Sequence, residues 1–203
     1  FPLKLELTRS FGLFLGAYLA NGHVSGDGVH IAHIDECAAE WPASLGVPVV
    51  AGAFRCAVLA RLVSALGGDG LSSEKRVPSF ALRASDEFAR ALLESYTAKR
   101  DVLACTASKG LRDGVATLAA RFGAACVLCE SRAPGQERPL YGFRAMREPC
   151  ATLADHWLDD VVSIATVAPT CGVAYDLTVA ETRNMCTMSG VALPSTTRVP
   201  VSA

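Results

Sequence analysis

Two stretches, GLFLGAYLANG at residues 12–22 and ALLESYTAKRD at residues 91–101, read as one helical element used twice. Each offers small side chains where a second helix could approach backbone to backbone, Gly16 and Ala17 in the first and Ser95 in the second. Helix axes separate by about 8–10 Å according to the side chains at their contact, and small residues sit at the short end of that range. A chain with two such helices is constrained to a paired core, with the segments that follow each helix arranged around it.

The hydrophobic pattern after each helix supports two similar halves. In the first, residues 10–21 read as a helix, GVHIAHI as an alternating strand, a helical stretch ends near Leu45, and VPVVAGAF reads as another strand. RCAVLARLVSALG then carries Val58, Leu59, Leu62, Val63 and Leu66 at helical spacing and stops at a glycine pair. A Gly- and Ser-rich loop, GGDGLSSEKRVPS, links to the second half, where Ser85 or Asp86 caps the helix EFARALLESYTAKR. DVLACTAS reads as a strand, Ser108 caps KGLRDGVATLAARFG, Gly123 ends that helix, and AACVLCESR and PLYGFRAM read as strands. At the N-terminus, alternating Leu3, Leu5 and Leu7 predict a strand entering the first helix. The chain opens on Phe1 rather than Met, and the expectation is further sequence upstream.

With 203 residues, 51% of them hydrophobic, the chain is long enough for one or two domains with a real core and too apolar for disorder. No apolar run reaches the ~20 residues of a membrane span, and no signal peptide is visible, so no membrane partner is expected and the compartment stays open. Charged residues are 19%, below the ~25% of an average soluble domain, which points to surface covered by a partner. The net charge of −1 and pI near 6.5 lack the basic excess of a strong phosphate binder. Eight cysteines read mostly as small buried hydrophobes. Cys126 and Cys129 form a lone CxxC, and zinc would need two more ligands, for instance His30 and His33; with only separated halves of a four-ligand pattern, no metal site is expected.

Three ordered blocks, PLKLELTRSFGLFLGAYLANG, KRVPSFALRASDEFARALLESY and TASKGLRDGVATLAARFG, resemble a two-motif LAGLIDADG (DOD-type) homing endonuclease of the kind found inside inteins. The resemblance implies an α+β fold with two αββαββα-like halves about a pseudo-twofold axis, spanning residues 1–147 with halves of about 1–68 and 78–147. In that family the motif helices each end in an acidic residue beside a glycine, and the two carboxylates hold divalent ions for phosphodiester cleavage. Here the first acidic position matches Asn21, before Gly22, and the second matches Arg100, before Asp101. An amide is only a neutral ligand, and a guanidinium repels the ion. At an effective dielectric of about 20, exchanging attraction for repulsion at ~4 Å is worth several kcal/mol, enough to empty a weak Mg²⁺ site. Asp101 is a remnant candidate one residue on. Lys75 and Lys109 match positions where the family often carries basic residues near the catalytic centre or the DNA backbone, and Lys75, Arg76, Lys109 and Arg112 are the expected nucleic-acid contacts.

The tail, DDVVSIATVAPTCGVAYDLTVAETRNMCTMSGVALPSTT, resembles the last splicing blocks of inteins, particularly those of RNA and DNA polymerase genes. The resemblance implies a short all-β segment over residues 148–203, an incomplete C-terminal part of a Hint splicing domain, in which Asp176 matches an acidic residue near the splice junction. Splicing needs a terminal Asn, or sometimes Asp or Gln, that cyclises before a Cys, Ser or Thr nucleophile. Pro194, Ser195 and Thr196 occupy the junction, and neither register supplies a carboxamide. The N-terminal splicing block is absent from these residues. Three functions follow: an intein-derived protein dead for cleavage and splicing that retains nucleic-acid binding, an exapted structural or RNA-binding subunit of a larger assembly, and an active site-specific endonuclease. Duplex DNA, structured RNA and protein neighbours are the expected partners; no cofactor is expected, Mg²⁺ entering only with surviving cleavage.

Overall fold

The computed structural model describes residues 4–68, 72–98, 104–124, 126–132, 135, 138–145 and 165, with the strand residues 151–153, 156–158, 184–186 and 192–194. Two compact units divide the chain, Phe1–Arg147 and Glu148–Ala203. The described residues of the first are mixed α and β, with five α-helices and two antiparallel sheets.

Side-chain oxygens start four of its helices. Helix α1 (Arg9–Asn21) begins at Thr8, whose hydroxyl accepts the Phe11 amide at 3.2 Å, and α2 (Glu36–Ser44) begins at Asp35, whose Oδ1 accepts the Ala38 amide at 2.7 Å. Between them lies a hairpin of β1 (Gly22–Ser25) and β2 (Gly28–Ile31), turned through Gly26 at φ 61°. A second hairpin, β3 (Val49–Val50) and β4 (Ala53–Arg55), precedes α3 (Ala57–Gly67). After a 3₁₀ turn at Ser79–Leu82, Ser85 caps α4 (Asp86–Thr97), β5 (Ala104–Thr106) follows, and Ser108 caps α5 (Lys109–Arg121). Strands β6 (Cys126–Ser131) and β7 (Leu140–Ala145) complete the unit.

The first sheet runs β1-β2-β4-β3 and the second β5-β7-β6. The order β2-β4-β3 is repeated as β5-β7-β6, and α5 follows β5 as α2 follows β2. The first half therefore reads αββαββα and the second, over the described residues, αβαββ.

Helix α1 is the centre of the core. Its residues from Phe11 to Leu19 are all buried, as befits a helix apolar on every side. Phe11 and Phe14 pack their rings on Trp41 at 4.3 and 5.1 Å, Phe14 meets Phe54 edge-on, and Phe11 reaches Phe88 on α4. Against α4 the contact is backbone to backbone: a methyl at Gly12 would lie 2.6 Å from the Phe88 carbonyl oxygen, and one at Gly16 would collide with the Leu92 carbonyl and press on the Ser95 Cβ. The expected approach at Gly16 and Ser95 is present, and Gly12, one turn earlier on the same face, extends it. Helix α4 buries Phe88, Ala89, Ala91, Leu92 and Tyr96 and turns Glu87, Arg90 and Glu94 outward. No helix of the described residues is long and apolar enough to cross a membrane.

Three local expectations change. Residues 4–8 form no strand; Leu5 and Leu7 pack half-buried on the core without a ladder partner. VPVVAGAF is two strands rather than one, because Ala51 and Gly52 both take positive φ, 51° and 76°, the backbone of a tight two-residue hairpin turn. β1 begins immediately at the end of α1, where no separate strand is expected.

In the second unit the described residues form two antiparallel pairs, β8 (Ala151–Leu153) with β9 (His156–Leu158) and β10 (Asn184–Cys186) with β11 (Ala192–Pro194).

The helix seam predicts opposite signs for glycine substitutions at different sites. Gly16→Leu overpacks the contact and costs ~1–3 kcal/mol or more, and Gly12→Ala also destabilises although alanine is the better helix former by ~1 kcal/mol. Gly110→Ala, in α5 with only the Ser108 Oγ at 3.8 Å from the added methyl, is neutral or stabilising. Urea denaturation midpoints of the three variants check this ordering.

Candidate functional site

The paired helices end beside a cleft of about 260 Å³. Its walls come from Ala17, Ala20 and Asn21 of α1, Ala32, His33 and Asp35 ahead of α2, Ser95 and Tyr96 of α4, and Ala98 just beyond it. The small residues that bring the helices together thus also leave space where they finish. Asn21, the last residue of α1, is exposed at the rim. His33 is held at φ 56°, an uncommon backbone for a side-chain-bearing residue, where the chain turns from β2 toward α2. Asp35 has one carboxylate oxygen engaged by the Ala38 amide. The arrangement offers an amide, an imidazole, a carboxylate and the Ser95 hydroxyl to a polar ligand. Among the described residues no three His, Cys, Asp or Glu side chains converge as metal ligands.

At the same end of α1 lies Lys75, 5% exposed. Its ammonium donates to the carbonyls of Tyr18 at 2.8 Å and Leu19 at 3.1 Å, at the C-terminal end of α1. Helix C-termini present unpaired carbonyls and the negative end of the dipole, so a cation there is doubly favoured. The ammonium also stands 5.2 Å from the centre of the Tyr18 ring, while the Tyr18 hydroxyl donates to the Gly68 carbonyl at 2.8 Å. On its other side the Lys75 carbonyl accepts the Ser108 hydroxyl at 2.6 Å, and that Oγ accepts the Leu111 amide to cap α5. Gly68 at φ 103° keeps this crossing open, since a methyl there would lie 2.5 Å from the Glu74 carbonyl.

The four expected nucleic-acid cations divide in two. Lys75 and Arg112 are buried, and their donors turn inward: Arg112 pairs with Asp113 at 2.7 Å, donates to the Cys129 carbonyl at 3.1 Å and stacks over Tyr141. Arg76 and Lys109 are exposed, Arg76 donating to the Ala65 carbonyl at 3.2 Å. The structure therefore does not bring all four onto one exposed face. Arg100, Asp101, Asp176, Ser195 and Thr196 lie outside the described residues, and Pro194 ends strand β11 opposite Asn184.

The CxxC pair does not converge. Cys126 and Cys129, three apart on β6, lie on opposite faces of the sheet, and burial pushes the Cys126 thiol above its ordinary range. His33 was weighed only as a zinc ligand beside His30, and Asp35 was not singled out by the sequence. A DxxA step into a helix marks Asp35 as a cap, but nothing local marks it as lining a cleft formed with α4.

No family model matches the chain. Over 145 residues it is 31% identical to the DNA-directed RNA polymerase subunit Rpo1C of Methanocaldococcus jannaschii, an alignment that takes in 60% of this chain and 17% of that protein. The chain matches about a sixth of the length of this curated relative.

Lys75 is predicted to act first on the fold. Lys75→Met removes two charge-assisted hydrogen bonds from the end of α1 and costs ~1.5–3 kcal/mol, whereas Lys109→Gln, on the surface, changes stability by less than ~0.5 kcal/mol. Denaturant titration of the two variants checks the contrast.

Proposed function

We propose that this chain is a non-cleaving descendant of the LAGLIDADG homing endonucleases that serves as a structural or RNA-binding element of a larger, RNA-polymerase-related assembly. The observation that carries this reading is Asn21: a carboxamide stands at the end of α1, on the rim of the cleft between the paired helices, where metal-dependent cleavage needs a carboxylate. Close helix packing through Gly12 and Gly16 and the repeated strand order support descent from a two-motif ancestor. Similarity to part of Rpo1C supports a setting in RNA polymerase rather than a free-standing nuclease. Low charge content and inward-turned Lys75 and Arg112 fit a module whose surface meets protein at least as much as phosphate.

A second reading, an intein relic, rests on a different observation. The tail segment VAYDLTV and the junction at Pro194, Ser195 and Thr196 resemble the splicing blocks of polymerase-gene inteins with the cyclising residue lost. Under this reading the two halves and residues 148–203 are parts of one inherited insertion. The natural gene distinguishes the two: mass spectrometry of the mature product finds the segment free-standing and bound to its assembly under the first reading, and retained unspliced inside a host protein under the second. Excision of the segment with ligation of its flanks overturns both.

Cleavage chemistry gives the accompanying prediction. With Mg²⁺ or Mn²⁺ the purified chain cuts no DNA, and Asn21→Asp with Arg100→Asp together are the minimum for any revival, either alone doing little. Specific cleavage by the unaltered chain in a site-selection library sinks the non-cleaving assignment. Binding to structured RNA and duplex DNA across a salt series reads how many phosphates the exposed Arg76 and Lys109 engage, through a slope of about −0.9 per neutralised phosphate on duplex DNA.

A further inference from the structure

The outward face of the first hairpin carries two imidazoles that no reading of the chain has paired. His23 on β1 lies directly opposite His30 on β2 in the antiparallel register. Their rings face each other with centroids 4.8 Å apart and planes 6° from parallel. His23 is exposed and His30 half-buried. Opposed residues on neighbouring strands hold their Cβ atoms about 4.5–5.5 Å apart, a span across which two imidazoles reach one ion at about 2.0–2.1 Å from each nitrogen.

The backbone beneath them is fixed. Four residue pairs from Gly22–Ile31 to Ser25–Gly28 set the register, and the two-residue loop between them turns at Gly26. Val29, on the opposite face of β2, is fully buried in the core and anchors the strand. The two rings stand on a rigid ladder while keeping their own torsions free at the surface, and χ2 of histidine is a soft torsion. Bringing the in-plane lone pairs to a common point requires only that the two stacked rings rotate toward each other.

The neighbouring charge is already compensated. Arg55 on β4 lies beside this face, its Nη1 3.2 Å and the His30 Nε2 3.4 Å from where a methyl on Gly28 would be. Its guanidinium is paired with Asp27 of the hairpin turn at 2.9 Å. The absence of a side chain at Gly28 keeps the approach to the His30 nitrogen open.

We propose that His23 and His30 form a two-imidazole chelate for a borderline divalent transition ion, Zn²⁺, Ni²⁺ or Cu²⁺, with water or a partner's side chain completing the coordination. Imidazole donors suit these ions and not Mg²⁺ or Ca²⁺, which take oxygen ligands. The site is separate from the helix-end cleft and does not depend on the proposed descent. With two protein ligands it is an exchangeable binding site rather than a closed structural one, and affinity follows the order Cu²⁺ above Ni²⁺ and Zn²⁺.

The test is calorimetric titration of the full, reduced chain with ZnCl₂, NiCl₂ and MgCl₂, repeated on His23→Ala, His30→Ala, the double variant, and His156→Ala in the second unit as a control. Expected are saturable Zn²⁺ and Ni²⁺ binding and no Mg²⁺ response, about tenfold or greater weakening in each single variant, loss of that binding event in the double variant, and no change in the control. Zn²⁺ also raises the thermal midpoint of the native chain and not of the double variant, since an ion bound only to the folded hairpin stabilises it. Circular dichroism of the metal-free variants confirms that they are folded. Unchanged affinity in the folded double variant, which assigns the metal to the cysteines, overturns the proposal, as does failure of the native chain to bind either ion below about 1 mM.

Discussion

The contact of α1 with α4 at Gly12 and Gly16 is the constraint on which the rest of the first unit depends. Two glycines inside a helix cost about 2 kcal/mol relative to alanine before any tertiary contact forms. What they permit is the seating of the Phe88 and Leu92 carbonyls against the bare face of α1. Because α1 is buried from Phe11 to Leu19, its remaining sides are covered by α2, α3 and the first hairpin, so its position is shared by all of these elements. α4 in turn stacks Phe88 against Phe11 and Tyr96 against Phe143 of the second sheet. The two halves are joined through a line of backbone atoms that neither can move without displacing the other.

A second tie runs through polar groups. Lys75 is its pivot: ammonium to α1, carbonyl to the Ser108 hydroxyl, and the next amide, Arg76, donating to the Gly67 carbonyl at 3.0 Å. Arg121 does similar work at the other end of α5, donating to the carbonyls of Leu82 and Ala84 and pairing with Asp86. Arg112 closes α5 onto the second sheet. In a chain with only 19 Lys and Arg, using several as internal donors leaves correspondingly fewer for a phosphate-binding face. The near-neutral total therefore overstates the free positive charge.

Helices were legible where capping chemistry is local. Ser85 and Ser108 stand one residue ahead of their helices and each accepts the amide three residues on, as the sequence indicates. The small residues Gly16 and Ser95 announced close packing because nothing else favours a glycine mid-helix. Gly12 carries the same signal, four residues earlier, and gains its meaning only with the partner helix in place. The VPVVAGAF hairpin escaped because Ala51 takes a left-handed backbone that alanine seldom adopts, so Gly52 stands without the Asn or Asp that usually precedes it in such a turn. The orientation of the cations was not legible for a deeper reason. Whether a lysine faces solvent or a helix terminus depends on which carbonyls end nearby, and Lys75 meets those of Tyr18 and Leu19, 57 and 56 residues away.

Rim and seam are separable at this site, so residues at the rim can change while the packing stays. The residues that hold the helices together, Gly12, Gly16 and Leu92, are buried in the seam, whereas Asn21 sits exposed at the end of α1, outside that seam. Replacing an acid there by an amide removes a charge from the surface at little cost in stability. The negative end of α1 is meanwhile satisfied by the Lys75 ammonium, so the helix terminus does not need an external cation to be stable. The helix end needs no metal ion for its structure. A module of this construction can lose cleavage entirely and remain a rigid platform, with its buried seam under the pressure of folding and its rim free to change.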